Sequence, residues 1–216
     1  MPFTIEMLLD YFATYNQTIW PMQAVGYALG LLTLVPLVRP GKLANRVVTG
    51  VLAFLWLWIG LMFWRPAAAN MAMLYGPAVL FTVQGALFAV ALARDRIAYG
   101  SAGPVYTAVG VLFIAYALIA YPVIGLLIGH VYPRAALSPL FPCPGIIVTF
   151  GALLLGRRVP WYLLIIPTLW ALTGALWFSL GMVEDAGLVT AGVVGAIMII
   201  LRQRTLAPEA VAGTQS

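Results

Sequence analysis

The chain is short of charge. Only 8% of its 216 residues are Asp, Glu, Lys or Arg, against 63% hydrophobic, which leaves too little polar surface to wrap a water-soluble core. Lysine occurs once, at Lys42, histidine once, at His130, and cysteine once, at Cys143. A single cysteine excludes an intramolecular disulfide and leaves the redox compartment open. A single histidine excludes a bis-histidine haem, and a lysine confined to a connection excludes a retinal Schiff base within a span. No HExxH zinc motif, phosphate-binding loop or dinucleotide fingerprint is present, so no nucleotide cofactor is expected. Ser101 and Ser138 carry no motif that joins either of them to His130 as a nucleophile and base. No Asp, Glu, Lys, Arg or His falls near the middle of an apolar stretch. Such residues cost about 2.5–3.5 kcal/mol on insertion and usually mark ion or proton pathways, so a proton pump, voltage sensor or carboxylate-based exchanger is disfavoured. These absences lean away from an enzyme without deciding the matter.

What is present is long apolar runs. A helix needs about 20 apolar residues to cross the hydrocarbon core, and stretches near 18–38, 46–64, 71–93, 104–128, 161–181 and 186–201 come close to that length. A seventh, Gly145 to Gly156, is shorter and draws on the preceding segment to make a span of 139–156. Charge parity argues that it crosses. Arg39, Lys42, Arg46, Arg94, Arg96, Arg157, Arg158, Arg202 and Arg204 occupy every second connection, whereas Arg65 and Arg134 share the others with Glu184 and Asp185. Short connections rich in Lys and Arg stay in the cytoplasm. The expected fold is therefore an all-α polytopic transmembrane helix bundle of seven spans, with the N-terminus outside and the C-terminus inside. Residues 1–204 form one transmembrane domain, and 205–216 read as an unstructured cytoplasmic tail. The net charge of +5 is spread through these connections in twos and threes. That suits anionic lipid headgroups and argues against nucleic acid.

Before the first span, Ile5, Leu8, Leu9 and Phe12 recur at helical spacing behind Thr4, so residues 4–15 read as an amphipathic helix. It is either an interfacial anchor on the outer surface or a lid over a pocket. Trp20, Trp64 and Tyr75 suit an outer aromatic belt, and Tyr99, Tyr106, Trp161 and Tyr162 an inner one. Gly26 with Gly30, and Gly125 with Gly129, permit close helix approach.

The best site candidate is the outward connection from Gly129 to Pro144, which holds His130, Tyr132, Arg134 and Cys143. His130 and Cys143 are ligand types for a soft or borderline metal, although their spacing matches no zinc pattern, and a structural loop is the alternative. Pro139, Pro142 and Pro144 disfavour regular helix over Ser138 to Pro144, so irregular backbone is expected at membrane depth, where protein or a wet cavity must cover it. If the fifth span starts near Pro144, its free N–H groups and dipole face inward, and Gly145 lets a ligand approach. Loop carbonyls and hydroxyls could equally satisfy those donors. Gln84, Trp56, Trp58, Tyr116 and Trp170 fall near mid-depth and would either line a polar, aromatic pocket or bond neighbouring helices.

Several ordered motifs carry a resemblance. Pro2-Phe3-Thr4, Tyr15-Asn16, Ile19-Trp20-Pro21 with Gln23, Trp56-Leu57-Trp58, Gly129-His130 with Tyr132-Pro133, Pro142-Cys143-Pro144, Thr149-Phe150-Gly151, Ile166-Pro167 with Leu169-Trp170, and Glu184-Asp185 together resemble an uncharacterised family of bacterial integral membrane proteins known as a domain of unknown function. The resemblance runs over about residues 2–201. The chain departs from the pattern after Pro-Cys-Pro, where Gly145 and Ile146 stand in place of threonines. The resemblance implies the bacterial cytoplasmic (inner) membrane and carries no activity. The function expected is binding or transport of a small solute or ion through an outward-opening cavity of the bundle, with weak or no coupling. The rival is a non-catalytic accessory or assembly subunit of a larger membrane complex. Lipids, a second copy of the chain or such a complex are the partners expected.

Overall fold

The computed structural model describes residues 4–100 and 102–212. Ser101 and the Pro2-Phe3 motif lie outside them. The described chain is predominantly helical. Five helical stretches, Lys42–Ala69, Ala72–Ala93, Pro104–Leu127, Trp161–Ser179 and Val183–Thr205, are long and apolar enough to cross a membrane. A sixth is reached if the pair Ile5–Ile19 and Met22–Val38, bent by 91°, counts as one span.

Helix α1 (Ile5–Ile19) starts where Thr4 Oγ1 accepts a hydrogen bond from the Met7 N–H, as an N-cap should. It buries Leu8, Leu9, Phe12, Tyr15, Asn16 and Ile19, one stripe at helical spacing. That stripe faces protein: Phe12 and Tyr15 pack edge-on against Phe141, with ring centroids 5.1 and 5.0 Å away. Helix α2 (Met22–Leu32) and the turn α3 (Val35–Val38) follow the bend. Helix α4 (Lys42–Trp58) runs through a π-helical turn, Ile59–Trp64, into α5 (Arg65–Asn70). After a short 3₁₀ turn, α6 (Tyr75–Ala93) returns antiparallel to α4. Helix α7 (Pro104–Ala115) likewise passes through a π turn, Tyr116–Ala120, into α8 (Tyr121–Leu127). Each π turn ends two residues before a proline, Pro66 or Pro122. A proline lacks the donor its helix needs and crowds the carbonyl four residues back, so the turn ahead of it opens.

Helix α9 (Pro142–Leu154) is the centre of the molecule: every residue but Cys143 is buried. Its 13 residues rise only about 20 Å. Pro142 and Pro144 belong to this helix, although their prolines argued for irregular backbone. The first turn has no intrahelical use for its N–H groups, so proline is tolerated there. The irregular backbone lies just before it, where Ala135, Ala136, Ser138, Leu140 and Phe141 are covered by protein. Helices α7 and α11 pack on α9 through glycine. A Cβ on Gly110 would sit 2.8 Å from the Gly151 carbonyl oxygen, and one on Gly151 would sit 2.8 Å from that of Gly110.

Helix α10 (Ile165–Ser179) and helix α11 (Ala186–Ala212) complete the bundle. Helix α11 carries on past Arg204 to Ala212, where an unstructured tail was expected from 205. At the same end, β1 (Ala98–Tyr99) and β2 (Gly156–Arg158) form a short antiparallel ladder. Three residues assigned to loops or belts are instead interior. Trp64 and Tyr99 are buried in the core rather than placed in a belt. Arg202 is 5% exposed and donates to the carbonyls of Leu154 (2.8 Å) and Leu153 (3.2 Å), so it caps the C-terminal end of α9.

Candidate functional site: a buried carboxylate pair

The connection between α10 and α11 is tight. Gly181, at φ 109°, reverses the chain, and Val183–Asp185 form a 3₁₀ turn that leads into α11. This turn carries Glu184 and Asp185 at the N-terminal end of a helix, where negative charge is favoured. Both are 1% exposed. The outer-loop acids of the sequence reading are thus inside the protein, and a set of polar side chains converges on them.

The Tyr121 hydroxyl donates to Asp185 Oδ1 at 2.7 Å, and the Cys143 thiol reaches Asp185 Oδ2 at 3.3 Å. His130 Nδ1 lies 2.9 Å from Glu184 Oε1, and the Tyr116 hydroxyl donates to the Glu184 backbone carbonyl at 2.8 Å. Gly125 backs the pair: a Cβ there would meet Glu184 Oε1 at 3.4 Å and His130 Cβ at 3.6 Å, ordinary van der Waals contact. Glu184 Oε2 is buried with no hydrogen-bond partner. With both carboxylates ionised the pair carries two negative charges, against at most one positive charge on His130. Unpaired charge is costly in such surroundings, so the arrangement suits uptake of a proton or a cation.

Beside Asp185 and Cys143 lies a cavity of about 20 Å³, walled by Phe63, Trp64, Phe141 and Trp170, enough for one water molecule. The indole N–H groups of Trp64 and Trp170 are buried and unpartnered. Two larger apolar cavities adjoin it, of about 530 Å³ and 240 Å³. Trp64 and Trp177 wall all three. The outer two are lined by Met71 and Leu74 from the α5–α6 connection, and Leu8 of α1 roofs the water-sized cavity and the smaller of the two.

The expected site residues divide on this geometry. His130, Cys143 and Tyr116 meet at the carboxylate pair, and Trp170 borders the adjoining cavity. Tyr132 stands exposed. Arg134 binds Glu6, and Asp10 at 3.0 Å, tying the loop to α1. Gly145 spends its N–H on the Phe141 carbonyl, and a Cβ there would lie 2.6 Å from the Pro139 oxygen, so its smallness serves loop packing. Gln84 donates to the Leu163 carbonyl at 3.0 Å, Trp56 to Thr149 Oγ1 at 3.0 Å, and Trp58 to the Tyr15 hydroxyl at 2.7 Å. These three join helices and lie apart from the cavity. Among the described residues no group of three or more His, Cys, Asp and Glu side chains is placed to hold a metal ion. His130 and Cys143 each face a separate carboxylate.

Sequence reasoning missed Glu184, Asp185 and Tyr121 as site residues. The signal available was a pair of adjacent acids in a four-residue connection, Met182 to Asp185, that contains no Lys or Arg. Their place among the motifs of the resemblance was a second signal.

Comparison with protein families supports the expectation of a domain of unknown function. A family of unknown function, DUF6064, matches residues 5–210. The chain belongs to this family. No curated protein and no solved structure matches the chain. Membership in DUF6064 supplies no activity.

Proposed function

We propose that this DUF6064 member is a membrane-inserted binding protein for a small solute bearing positive charge or a proton, held at Glu184 and Asp185. The observation that carries this reading is the buried carboxylate pair, with Glu184 Oε2 unpartnered and Asp185 lining a water-sized cavity walled by Phe63, Trp64, Phe141 and Trp170. Buried polar atoms normally have at least one hydrogen-bond partner, and Glu184 Oε2 has none. An aromatic wall suits an organic cation as well, since an ammonium gains from the face of Trp or Phe. The adjoining apolar cavities offer room for a hydrocarbon portion that enters sideways, past Trp64 and Trp177.

The protein sits in the bacterial cytoplasmic membrane, with the carboxylate end outside and the arginine-rich end inside, in keeping with the charge bias of the connections. In this frame α9 serves as the short seventh crossing. Passage of the solute across the bundle would require the packing of Trp56, Phe81 and Phe150, all buried, to open, so binding is the primary activity and transport would follow from it.

The test uses the full chain in nanodiscs with octylamine as probe, against octanol and octanoate, read by tryptophan fluorescence. Octylamine should give a saturable change in the wild type that is lost in Asp185→Asn and reduced in Trp170→Phe, with no such change from octanol or octanoate. Equal responses to all three compounds, or an unchanged octylamine response in Asp185→Asn, would overturn the reading.

A further inference from the structure

At the opposite end of the bundle lies a second, unrelated site. The segment after α6 brings Arg94 and Arg96, and the β1–β2 ladder, by pairing Ala98 with Arg158, brings a third arginine from more than sixty positions away. All three guanidinium-bearing residues line one groove of about 580 Å³, together with Leu87, Trp161 and Tyr162. The one acid in the segment is held elsewhere: Asp95 accepts from Arg46 Nε and Nη2, both at 3.2 Å. Among the described residues no carboxylate lines the groove, and no hydrogen bond or ion pair engages the side chains of Arg94, Arg96 and Arg158. The positive charge of the groove is therefore unanswered by the protein.

The groove is also graded. Leu87 and Val90 line it seven and four residues before Arg94 on α6, which places them about 10 and 6 Å deeper along the helix, within the apolar span. Trp161, 72% exposed, and Tyr162 form the other wall, and such rings settle at the level of lipid headgroups. A free phosphate would use the arginines and leave the apolar wall bare. A phospholipid uses both.

We propose that this groove is a specific site for an anionic phospholipid, with its phosphate on Arg94, Arg96 and Arg158 and its first acyl carbons along Leu87, Val90 and Trp161. Basic pockets between membrane helices bind such headgroups, and guanidinium forks hold phosphate oxygens in pairs. The site is independent of the carboxylate pair and stands or falls without it.

Native mass spectrometry of the full chain in mild detergent tests this, with phosphatidylglycerol or cardiolipin added against phosphatidylcholine. The wild type should retain one anionic lipid, and its retention should survive excess inorganic phosphate. Retention should weaken by roughly fivefold for each of Arg94→Gln, Arg96→Gln and Arg158→Gln. A control variant, Arg39→Gln, removes the same charge from the same end and should bind as the wild type does. Thermal unfolding of each variant verifies that it is folded. Equal loss in the control would reduce the site to general surface attraction. Displacement by inorganic phosphate alone would make it a free-anion site. Retention of phosphatidylcholine as well as the anionic lipids would remove the charge argument. Each of these three results overturns the proposal.

Discussion

The Tyr121–Asp185 hydrogen bond provides a direct measure of how much stability the carboxylate site depends on. Both residues are 1% exposed, and the hydroxyl stands 2.7 Å from Asp185 Oδ1. Tyr121→Phe keeps the ring and removes only the donor, so no cavity opens and the loss is that of one satisfied acceptor. Leaving a buried acceptor unpaired costs about 1–3 kcal/mol, with charged acceptors at the upper end. The variant should therefore unfold more readily, by a factor of roughly 5 to 150 in the unfolding equilibrium. The same change in an Asp185→Leu background should cost nothing or stabilise, because the Tyr121 hydroxyl is there a buried donor with no acceptor. The coupling between the two positions is then about 1–3 kcal/mol. Asp185→Leu alone should destabilise, because it leaves the buried Tyr121 hydroxyl without an acceptor, and it should abolish octylamine binding. The assay is equilibrium unfolding of purified protein in mild detergent, followed by tryptophan fluorescence, over the four members of the cycle. An equal cost for Tyr121→Phe in both backgrounds would refute the argument, because the hydroxyl would then act through something other than Asp185.

Three further outcomes follow from packing and charge. Gly151→Ala and Gly110→Ala each drive a methyl to within 2.8 Å of a facing carbonyl. Each should destabilise by about 1–3 kcal/mol as an overpacked core position, and the pair should cost less than the sum in thermal unfolding, since the first methyl already parts α7 from α9. Arg202→Met strips the Leu153 and Leu154 carbonyls of their donor and should cost about 1.5–3 kcal/mol, with no effect on octylamine binding at the other end. The hydrogen bond from Arg46 holds the exposed Asp95 carboxyl below the usual carboxylate range. A depressed carboxylate contributes stability above its unfolded pKa and loses it as pH falls through the folded value. The melting difference between wild type and Asp95→Asn should therefore be constant from neutrality down to about pH 4 and then shrink with further acid. A difference that grows on acidification would reverse the assigned sign.

The apolar runs were legible because length and hydrophobicity alone mark a helix that lipid can surround. The boundaries of α6, of α7 continued through α8, and of α10 accordingly fall within a few residues of the stretches near 71–93, 104–128 and 161–181. The capping of α1 by Thr4 and the buried stripe of that helix were likewise local, carried by one hydroxyl and a 3.6-residue period. Pro142 and Pro144 misled because a proline's effect depends on its position in the helix, and the start of a helix is decided by what packs around it. His130, Cys143 and Tyr116 could be picked out by residue type. What they touch could not be, since Glu184 lies 54 positions from His130 and Asp185 lies 42 from Cys143.

The sequence by itself determined that this chain is helical and suited to a membrane, because those properties follow from local composition and period. Only the tertiary structure decided that Glu184 and Asp185 are interior, that Arg202 caps α9, and that Arg94, Arg96 and Arg158 share a groove. The physical reason is that burial and partnership are properties of contacts between distant segments. A charged residue at the end of an apolar run is equally compatible with water and with a neighbouring helix until the packing of that helix chooses between them.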